Sequence, residues 1–293
     1  MAAEILDGKR ISQEMRDELK TGVEILAAKG VTPGLGVILV GEDPASRSYV
    51  SAKEKACADV GIFSLEATMP ADASKQQILD QVQAYNQDPR IDGILVQLPL
   101  PDASIEEDVL NTVLPEKDVD GFHPMNVGKM MLGLPTFLPC TPHGILHMLK
   151  RSGAQIAGAH VVVIGRSNIV GRPIANMLSQ KSEFGNATVT LCHTGTRDIA
   201  SFTRDADIIV AAVGRPHTVT ANMVKPGAVV IDVGVNRIED ATRKRGYRLV
   251  GDVDYDEVAT KASMITPVPG GVGPMTITML LYNTVQSAQR RLS

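Results

Sequence analysis

The chain has 293 residues, of which 44% are hydrophobic and 21% are charged, and its formal net charge at pH 7 is -4. A chain of this size can bury one large core or two ordinary ones, and without a cluster of lysine and arginine it does not resemble a nucleic-acid-binding protein. It has no apolar run of about 18 residues, and its N-terminus lacks the pattern of a secretory signal, so we expect a cytoplasmic protein without a membrane partner.

The first hundred residues alternate between helical and strand-like patterns. Apolar residues at helical spacing predict a helix over 11–29, which ends before Gly30. Next come a predicted strand over 34–40, a helix over 44–60, a strand over 63–69, a helix over 74–86 and a strand over 91–98. Strands that alternate with helices in this way form parallel sheets, so we predict an α/β fold.

An irregular, proline- and glycine-rich stretch over 114–142 separates two α/β blocks. Before it, Ser104 followed by Glu107 matches a capping box and predicts a helix. We place the domain boundary in the irregular stretch. The predicted ranges are 1–140 for a catalytic domain, 141–274 for a dinucleotide-binding domain, and 275–293 for a helix that packs back on the catalytic domain, with the active-site cleft between the domains.

The second block predicts a doubly wound, Rossmann-like sheet. A helix over 142–150 comes first. Short β-branched strands are predicted over 161–164, 188–192, 208–213 and 229–233, an exposed hairpin or loop over 238–252, and a glycine-rich loop over 267–274. Alternating strands and helices of this kind form the dinucleotide-binding architecture.

The glycine turn after the strand at 161–164 is the candidate phosphate site. Four β-branched residues lead into Gly165, and a helix is predicted from about Gly171. Free backbone N–H groups at a helix N-terminus bind anions. Ser167 stands where the standard fingerprint has its second glycine, and Gly171 comes one residue late. From this stretch alone, an ordinary strand-to-helix turn remains equally open.

Tyr49 and Lys53 lie four residues apart, and therefore on one face of the helix over 44–60. Short-chain dehydrogenases also carry a Tyr-x-x-x-Lys pair, but there the glycine turn comes first, which argues against that family here. Lys53 taken alone is better explained as a solvated lysine on an alanine-rich helix. Gln97 is a polar residue inside an apolar strand, at the carboxyl end where α/β folds bind ligands.

Three further patterns favour ordinary structural roles. Asp118 and Asp120 lie in a glycine-bearing loop, which is typical of turn chemistry. Cys140, His143 and His147 have metal-like spacing but lack further ligands, so we expect no metal and three free cysteines, Cys57, Cys140 and Cys192. Ser167 is not a nucleophile elbow, because Ile169 occupies the position of the required glycine.

Five blocks of the chain together resemble the bifunctional methylenetetrahydrofolate dehydrogenase/cyclohydrolase family. They are Tyr49–Lys53, Ile94–Pro101, Lys117–Phe122, Gly165–Pro173 and Pro267–Thr276, in the order that the family has. The resemblance implies oxidation of 5,10-methylenetetrahydrofolate to the methenyl form, its hydrolysis to 10-formyltetrahydrofolate, and a homodimer.

The resemblance also implies roles for individual residues. Lys53 would be the acid/base group of hydrolysis, Gln97 would aim its amine, Tyr49 would stack on the folate, and Asp120 would accept N–H bonds from the pterin. Leu98, Pro99, Gly271 and Pro274 would complete the folate site. Val235 would touch the cofactor through its backbone, although a core valine is equally open.

For the cofactor we predict NADP rather than NAD. NAD enzymes usually carry an acidic residue after the second strand to bind the ribose hydroxyls. Here that strand ends at Cys192-His193-Thr194, with no acid. Arg166, with Thr194 and with Arg197 as a further candidate, could hold a 2'-phosphate beside Gly165 and Ser167. A shikimate-type two-domain dehydrogenase stays open as the alternative enzyme. A cofactor-binding regulator without turnover is the second alternative, but the presence of Tyr49, Lys53, Gln97 and Asp120 argues against it, because a binding module does not need that set.

Overall fold

The structure is a computed structural model that describes residues 3–243 and 246–292. The chain forms two compact units. One, which we call the large-sheet unit, contains the chain up to Ser12 together with Thr141–Thr276. The other, the small-sheet unit, contains Gln13–Cys140 and the chain from Ile277 onward. This division differs from the predicted ranges at the N-terminus, which was grouped with residues 13–140.

The strands of the described residues are at most seven residues long, and most of them alternate with helices along the chain. They are β1 (Glu4–Ile5), β2 (Gly34–Val40), β3 (Phe63–Met69), β4 (Gly93–Val96), β5 (His160–Ile164), β6 (Thr188–Cys192), β7 (Ile208–Ala211), β8 (Val229–Asp232), β9 (Asn236–Glu239), β10 (Tyr247–Val250) and β11 (Met264–Ile265).

Helices connect most of these strands. They are α1 (Gly8–Ala28), α2 (Pro44–Val60), α3 (Lys75–Gln87), α4 (Glu106–Thr112), α5 (Pro124–Met131), α6 (Cys140–Arg151), α7 (Gly171–Ser179), α8 (Ala200–Thr203), α9 (Tyr255–Val258) and α10 (Val272–Gln289). Among the described residues, no helix is both long and apolar enough to cross a membrane.

The small-sheet unit is built on a parallel sheet in the order β3-β2-β4. Every residue of the central strand β2 is buried, which is typical of a parallel strand covered on both faces. Helix α2 follows β2 and is capped at both ends, because the Asp43 side chain accepts a hydrogen bond from Ser46 N at 2.8 Å and Gly61 adopts the left-handed conformation. Both α2 and the sheet were predicted from the sequence.

The large-sheet unit contains a six-stranded parallel sheet in the order β1-β11-β8-β7-β5-β6. This topology confirms the predicted doubly wound sheet. The pairing of β1 with β11 explains why the N-terminus groups with this unit. Strands β9 and β10 form an antiparallel hairpin, as predicted for 238–252.

Two local predictions are wrong. The capping box at Ser104 does not form, because Asp102 accepts hydrogen bonds from the Ser104 N–H and hydroxyl, and α4 begins only at Glu106. The stretch over 114–142 is not irregular throughout, since it contains α5, whose first turn starts at a proline after a histidine cap. Proline favours a first turn as much as a loop, so composition alone did not distinguish the two.

The loop before α5 is held by the buried carboxylate of Asp118. Its oxygens accept hydrogen bonds from the backbone N–H groups of Gly121 and Phe122 at 3.2 Å, from His123 N at 2.8 Å, and from the Asn126 side chain at 2.8 Å. Burial raises the pKa of Asp118 to about 6, although these donors oppose the shift. The Asp118 carboxylate therefore stabilises this turn. The Asp120 side chain, two residues further along, is not needed for that role.

We predict that Asp118→Ala lowers the free energy of unfolding by about 3 kcal/mol, because it leaves several buried donors without their acceptor. Urea unfolding followed by circular dichroism measures this loss. The matched control is Asp102→Ala, which removes an exposed turn carboxylate and costs about 1 kcal/mol or less. Equal losses in the two variants would contradict the structural role of Asp118.

Candidate active site

A hydrogen bond near the carboxyl end of β4 joins the side chains of Lys53 and Gln97. Lys53 lies on the inner face of α2 and is 9% exposed. Its Nζ donates a hydrogen bond to Gln97 Oε1 at 2.9 Å, and Gln97 Nε2 donates to the carbonyl oxygen of Leu98 at 2.7 Å. The second bond fixes the amide so that its oxygen faces the amine. Gln97 itself is anchored to the sheet through its N–H, which donates to Ile38 O at 2.9 Å.

Asp120 completes an electrostatic pair with Lys53. Burial raises the pKa of Asp120, while the positive charge of Lys53 opposes that rise. Burial lowers the pKa of Lys53, while the charge of Asp120 opposes that fall. Because burial disfavours the charged form of each group, both are closer to neutral than they would be in water. The neutral, proton-accepting form of Lys53 is therefore favoured relative to a solvated lysine.

The other predicted folate-site residues differ in exposure. Tyr49, one helical turn before Lys53, is 48% exposed and offers an open aromatic face. Leu98 is half-buried and Pro99 is exposed. In the large-sheet unit, Gly271 is buried and Pro274 is half-buried in the first turn of α10. The small-sheet unit therefore brings Lys53, Gln97 and Asp120 together, with Tyr49 on the same helix as the lysine.

Cys140 is a neighbour of this group that the sequence did not reveal. Its thiol donates to Val119 O at 3.4 Å, and the charge of Asp120 contributes to raising the pKa of this thiol. Burial raises the pKa of Cys140 well above its usual value, so the group remains a thiol. From α10, Asn283 Nδ2 donates to the same Val119 oxygen at 2.8 Å. The sequence singled out Cys140 only for its spacing to His143 and His147, and no signal placed it beside Asp120, because these partners are distant in the chain.

The three residues with metal-like spacing do not form a ligand set. Among the described residues, no group of three or more His, Cys, Asp or Glu side chains is placed to hold a metal ion. His143 is buried, its ring centroid lies 4.9 Å from that of His147, and burial lowers its pKa to about 3. It is therefore neutral at physiological pH.

The glycine turn of the large-sheet unit requires both of its glycines. Gly165 has φ of 123°, and a Cβ atom on it would lie 2.1 Å from Ala212 O. A Cβ atom on Gly171 would lie 2.0 Å from Gly165 O. Ser167 Oγ accepts hydrogen bonds from Val170 N at 3.1 Å and from Gly171 N at 3.3 Å, which shapes the entry into α7. The turn is therefore closely packed, as a phosphate cradle needs to be.

The remaining predicted cofactor residues lie on the surface of the large-sheet unit. Arg166 is exposed in the glycine turn, and Thr194 is exposed after β6, the strand that pairs with β5. Arg197 is exposed in the same segment as Thr194. Val235 is 50% exposed, so it is not the core valine that the sequence left open.

We predict that Asp120→Asn lowers the pKa of Lys53 further, because Asp120 is the charge that opposes the effect of burial. A pH titration of lysine carbon resonances next to Nζ by NMR measures the change. Lys55, exposed on the same helix, is the internal control, and its resonances should be the same in the variant and in the wild type. An unchanged or higher Lys53 pKa in the variant would contradict the proposed pairing.

Family models match both parts of the chain. The model of the tetrahydrofolate dehydrogenase/cyclohydrolase catalytic domain matches residues 6–120, and that of the NAD(P)-binding domain of the same enzymes matches residues 139–292. The chain is 58% identical over 289 residues to the bifunctional protein FolD of Syntrophus aciditrophicus, covering 99% of this chain and 98% of that protein.

Solved structures agree with these matches. The bifunctional FolD enzyme of Campylobacter jejuni is 48% identical with a TM-score of 0.93, covering 99% of this chain and 100% of that one. The Trypanosoma brucei dehydrogenase-cyclohydrolase, solved with NADP and an inhibitor, is 38% identical with a TM-score of 0.94, covering 100% and 99%. A shikimate dehydrogenase is 11% identical with a TM-score of 0.50, covering 89% and 96%, and shares only the fold.

Proposed function

The chain belongs to the tetrahydrofolate dehydrogenase/cyclohydrolase family, and from this membership we propose how its residues carry out the two reactions. The enzyme oxidises 5,10-methylenetetrahydrofolate to 5,10-methenyltetrahydrofolate with NADP and hydrolyses that product to 10-formyltetrahydrofolate. The observation that carries the residue assignment is the buried hydrogen bond between Lys53 Nζ and Gln97 Oε1. The shikimate-type reaction is not favoured, since the likeness to that enzyme is limited to the fold.

Lys53 is the proposed acid/base group of hydrolysis. Water adds to the methenyl carbon, and the neutral amine takes one proton from that water. As the bond between this carbon and N5 breaks, the resulting ammonium returns that proton to N5. The hydroxyl left on the carbon becomes the formyl carbonyl, and its proton is released to solvent. A lysine has a pKa of ~10.4 in water, so this role needs its charged form to be disfavoured. Burial does so here, and the positive charge of the methenyl group would add to the effect.

Gln97 is proposed to aim the amine. Its oxygen accepts from Nζ, and its nitrogen is engaged by the Leu98 carbonyl, so the amide cannot flip without losing both bonds. The lysine side chain is flexible in solution, and this single acceptor fixes its end. Orientation of this kind is a large part of what an enzyme supplies to a reaction.

Asp120 and Tyr49 are proposed to bind the folate ring. The Asp120 carboxylate can accept paired N–H bonds from the pterin edge. The exposed ring of Tyr49 offers a stacking surface on the same helix as Lys53. We propose that Leu98, Pro99, Gly271 and Pro274 contribute further folate contacts.

The large-sheet unit is proposed to bind NADP, which accepts the hydride when bound. The absence of Cβ atoms at Gly165 and Gly171 lets the backbone make the tight turn that leads into α7, and glycine turns of this kind before a helix bind pyrophosphate in dinucleotide-binding folds. The hydroxyl of Ser167 can donate to a phosphate oxygen. Arg166 is proposed to hold the 2'-phosphate with Thr194. With Val235 these residues position the nicotinamide, and the protein adds little else to hydride transfer.

We further propose that residues 1–140 and 275–293 form the folate-binding catalytic domain and that residues 141–274 form the NADP-binding domain.

We also propose that the protein is a cytoplasmic homodimer. The family resemblance supports the dimer. Light scattering after size-exclusion chromatography should give twice the mass of the chain, and a monomer mass would contradict it.

We predict that Lys53→Met lowers the cyclohydrolase rate by a factor of at least about 100, because it removes the proton-transfer group. The decay of methenyltetrahydrofolate absorbance measures the rate, and NADP affinity should stay unchanged. Lys55→Met, an exposed lysine on the same helix, is the matched control with full activity. A Lys53→Met enzyme that retains most of its rate would refute the acid/base assignment.

We predict that Arg166→Ala raises the KM for NADP by about tenfold and leaves the KM for NAD within about twofold, because only NADP carries the 2'-phosphate. Initial rates of dehydrogenation with each cofactor test this. Arg204→Ala, which removes an exposed arginine elsewhere in the same unit, should change neither value. An equal loss for both cofactors would assign Arg166 to the pyrophosphate instead.

A further inference from the structure

A buried carboxylate fixes the loop that follows β7 in the large-sheet unit. Asp252 is 0% exposed. Its Oδ2 accepts hydrogen bonds from Val213 N at 2.6 Å and Gly214 N at 2.9 Å, and its Oδ1 accepts from Arg215 N at 2.9 Å. Three consecutive backbone N–H groups thus converge on one carboxylate. These bonds tie the backbone of the loop to the Asp252 carboxylate.

A second buried carboxylate holds Asp252 in place. Asp232, at the end of β8, accepts hydrogen bonds through Oδ1 from Asp252 N at 2.8 Å and from Gly234 N at 3.0 Å. Its Oδ2 accepts from Val253 N at 3.0 Å. A Cβ atom on Gly251 would lie 1.7 Å from Asp232 Oδ2, and one on Gly234 would lie 2.1 Å from Asp252 Oδ1. The two glycines are therefore required by the two carboxylates.

The loop held by Asp252 is in contact with the glycine turn. Ala212, which precedes the loop, donates from its N–H to Ile164 O at 2.8 Å. Its carbonyl oxygen is the atom that would lie 2.1 Å from a Cβ on Gly165. A shift of the loop therefore moves the backbone against which the proposed phosphate cradle is packed.

Asp252 also reaches the segment that follows β8. The Asn236 side chain donates through Nδ2 to Asp252 Oδ1 at 2.9 Å. Asn236 is the residue after Val235, whose backbone is a proposed cofactor contact. One carboxylate thus connects the loops after β7 and β8, at the carboxyl ends of parallel strands, where doubly wound folds bind dinucleotides.

We infer that Asp252 is a positioning residue for the dinucleotide site, which holds the loops after β7 and β8 in the conformation that NADP requires. It acts through backbone hydrogen bonds. An asparagine of the same shape would replace one acceptor oxygen by an N–H₂ donor that faces backbone N–H donors. The inference rests on the proposed NADP function of this unit.

The test compares Asp252→Asn with the wild type in three measurements: calorimetric NADP binding, the KM for NADP in dehydrogenation, and cyclohydrolase turnover without nucleotide. We expect the Kd and KM for NADP to rise on the order of tenfold, while nucleotide-free hydrolysis and the KM for the folate stay within about twofold. A general loss of structure would lower both activities together. Asp256→Asn removes an exposed carboxylate nearby and should behave as the wild type.

If Asp252→Asn does not fold, the variant Asn236→Ala tests the inference instead. It removes one hydrogen-bond donor to Asp252 and keeps the three hydrogen bonds from the backbone. It should raise the Kd for NADP about twofold to threefold with hydrolysis unchanged. Wild-type affinity for NADP in a folded Asp252→Asn protein, or in Asn236→Ala where only that variant folds, would overturn the inference. A wild-type protein that binds no NADP would overturn the proposed function as well, and the two failures are distinguishable.

Discussion

The burial of the Lys53 amine is the constraint on which the chemistry of this protein depends. An ammonium group loses hydration when it is removed from water, and that loss lowers its pKa unless a partner compensates. Here the Gln97 oxygen accepts from the amine, and the nearby charge of Asp120 is the largest effect that opposes the loss of hydration. The pKa of Lys53 is lowered all the same, which is the direction that the proposed hydrolysis requires.

The rest of the small-sheet unit keeps that balance in place. Helix α2 presents Lys53 because its ends are fixed by Asp43 and Gly61. The backbone N–H groups of the loop before α5 donate to Asp118, so the Asp120 carboxylate is not needed to stabilise this turn. In the large-sheet unit the same principle recurs, since buried Asp232 and Asp252 order loops whose exposed atoms are available to a ligand.

The sequence predicted most of the architecture, because the buried strands are continuous apolar runs and the helices between them have a clear period. It missed β1 and β11, which are two residues long and exist only through their pairing with each other and with β8. It also misplaced the cap near Ser104, since Asp102 competes for the same donors. Two-residue strands and helix caps depend on individual contacts, and the spacing of apolar residues in the sequence does not reveal those contacts.

For the site, the sequence singled out Tyr49, Lys53 and Gln97 as unusual, but their roles came from the family resemblance. The residue pattern alone did not distinguish Asp118 from Asp120, because both are carboxylates two positions apart in one loop, and only the family resemblance selected Asp120. Cys140 and Asp252 were also missed as neighbours of the sites. Their partners lie 16 residues or more away in the chain, and only the fold brings them together.

The most direct measurement of the central claim is the absorbance of the purified protein with 5,10-methylenetetrahydrofolate and NADP, followed over time. We expect that NADPH forms, that added methenyltetrahydrofolate decays in a parallel assay, and that both rates scale with protein concentration. NADPH formation without methenyl decay would contradict the role of Lys53, and no reaction in either assay would contradict the account as a whole.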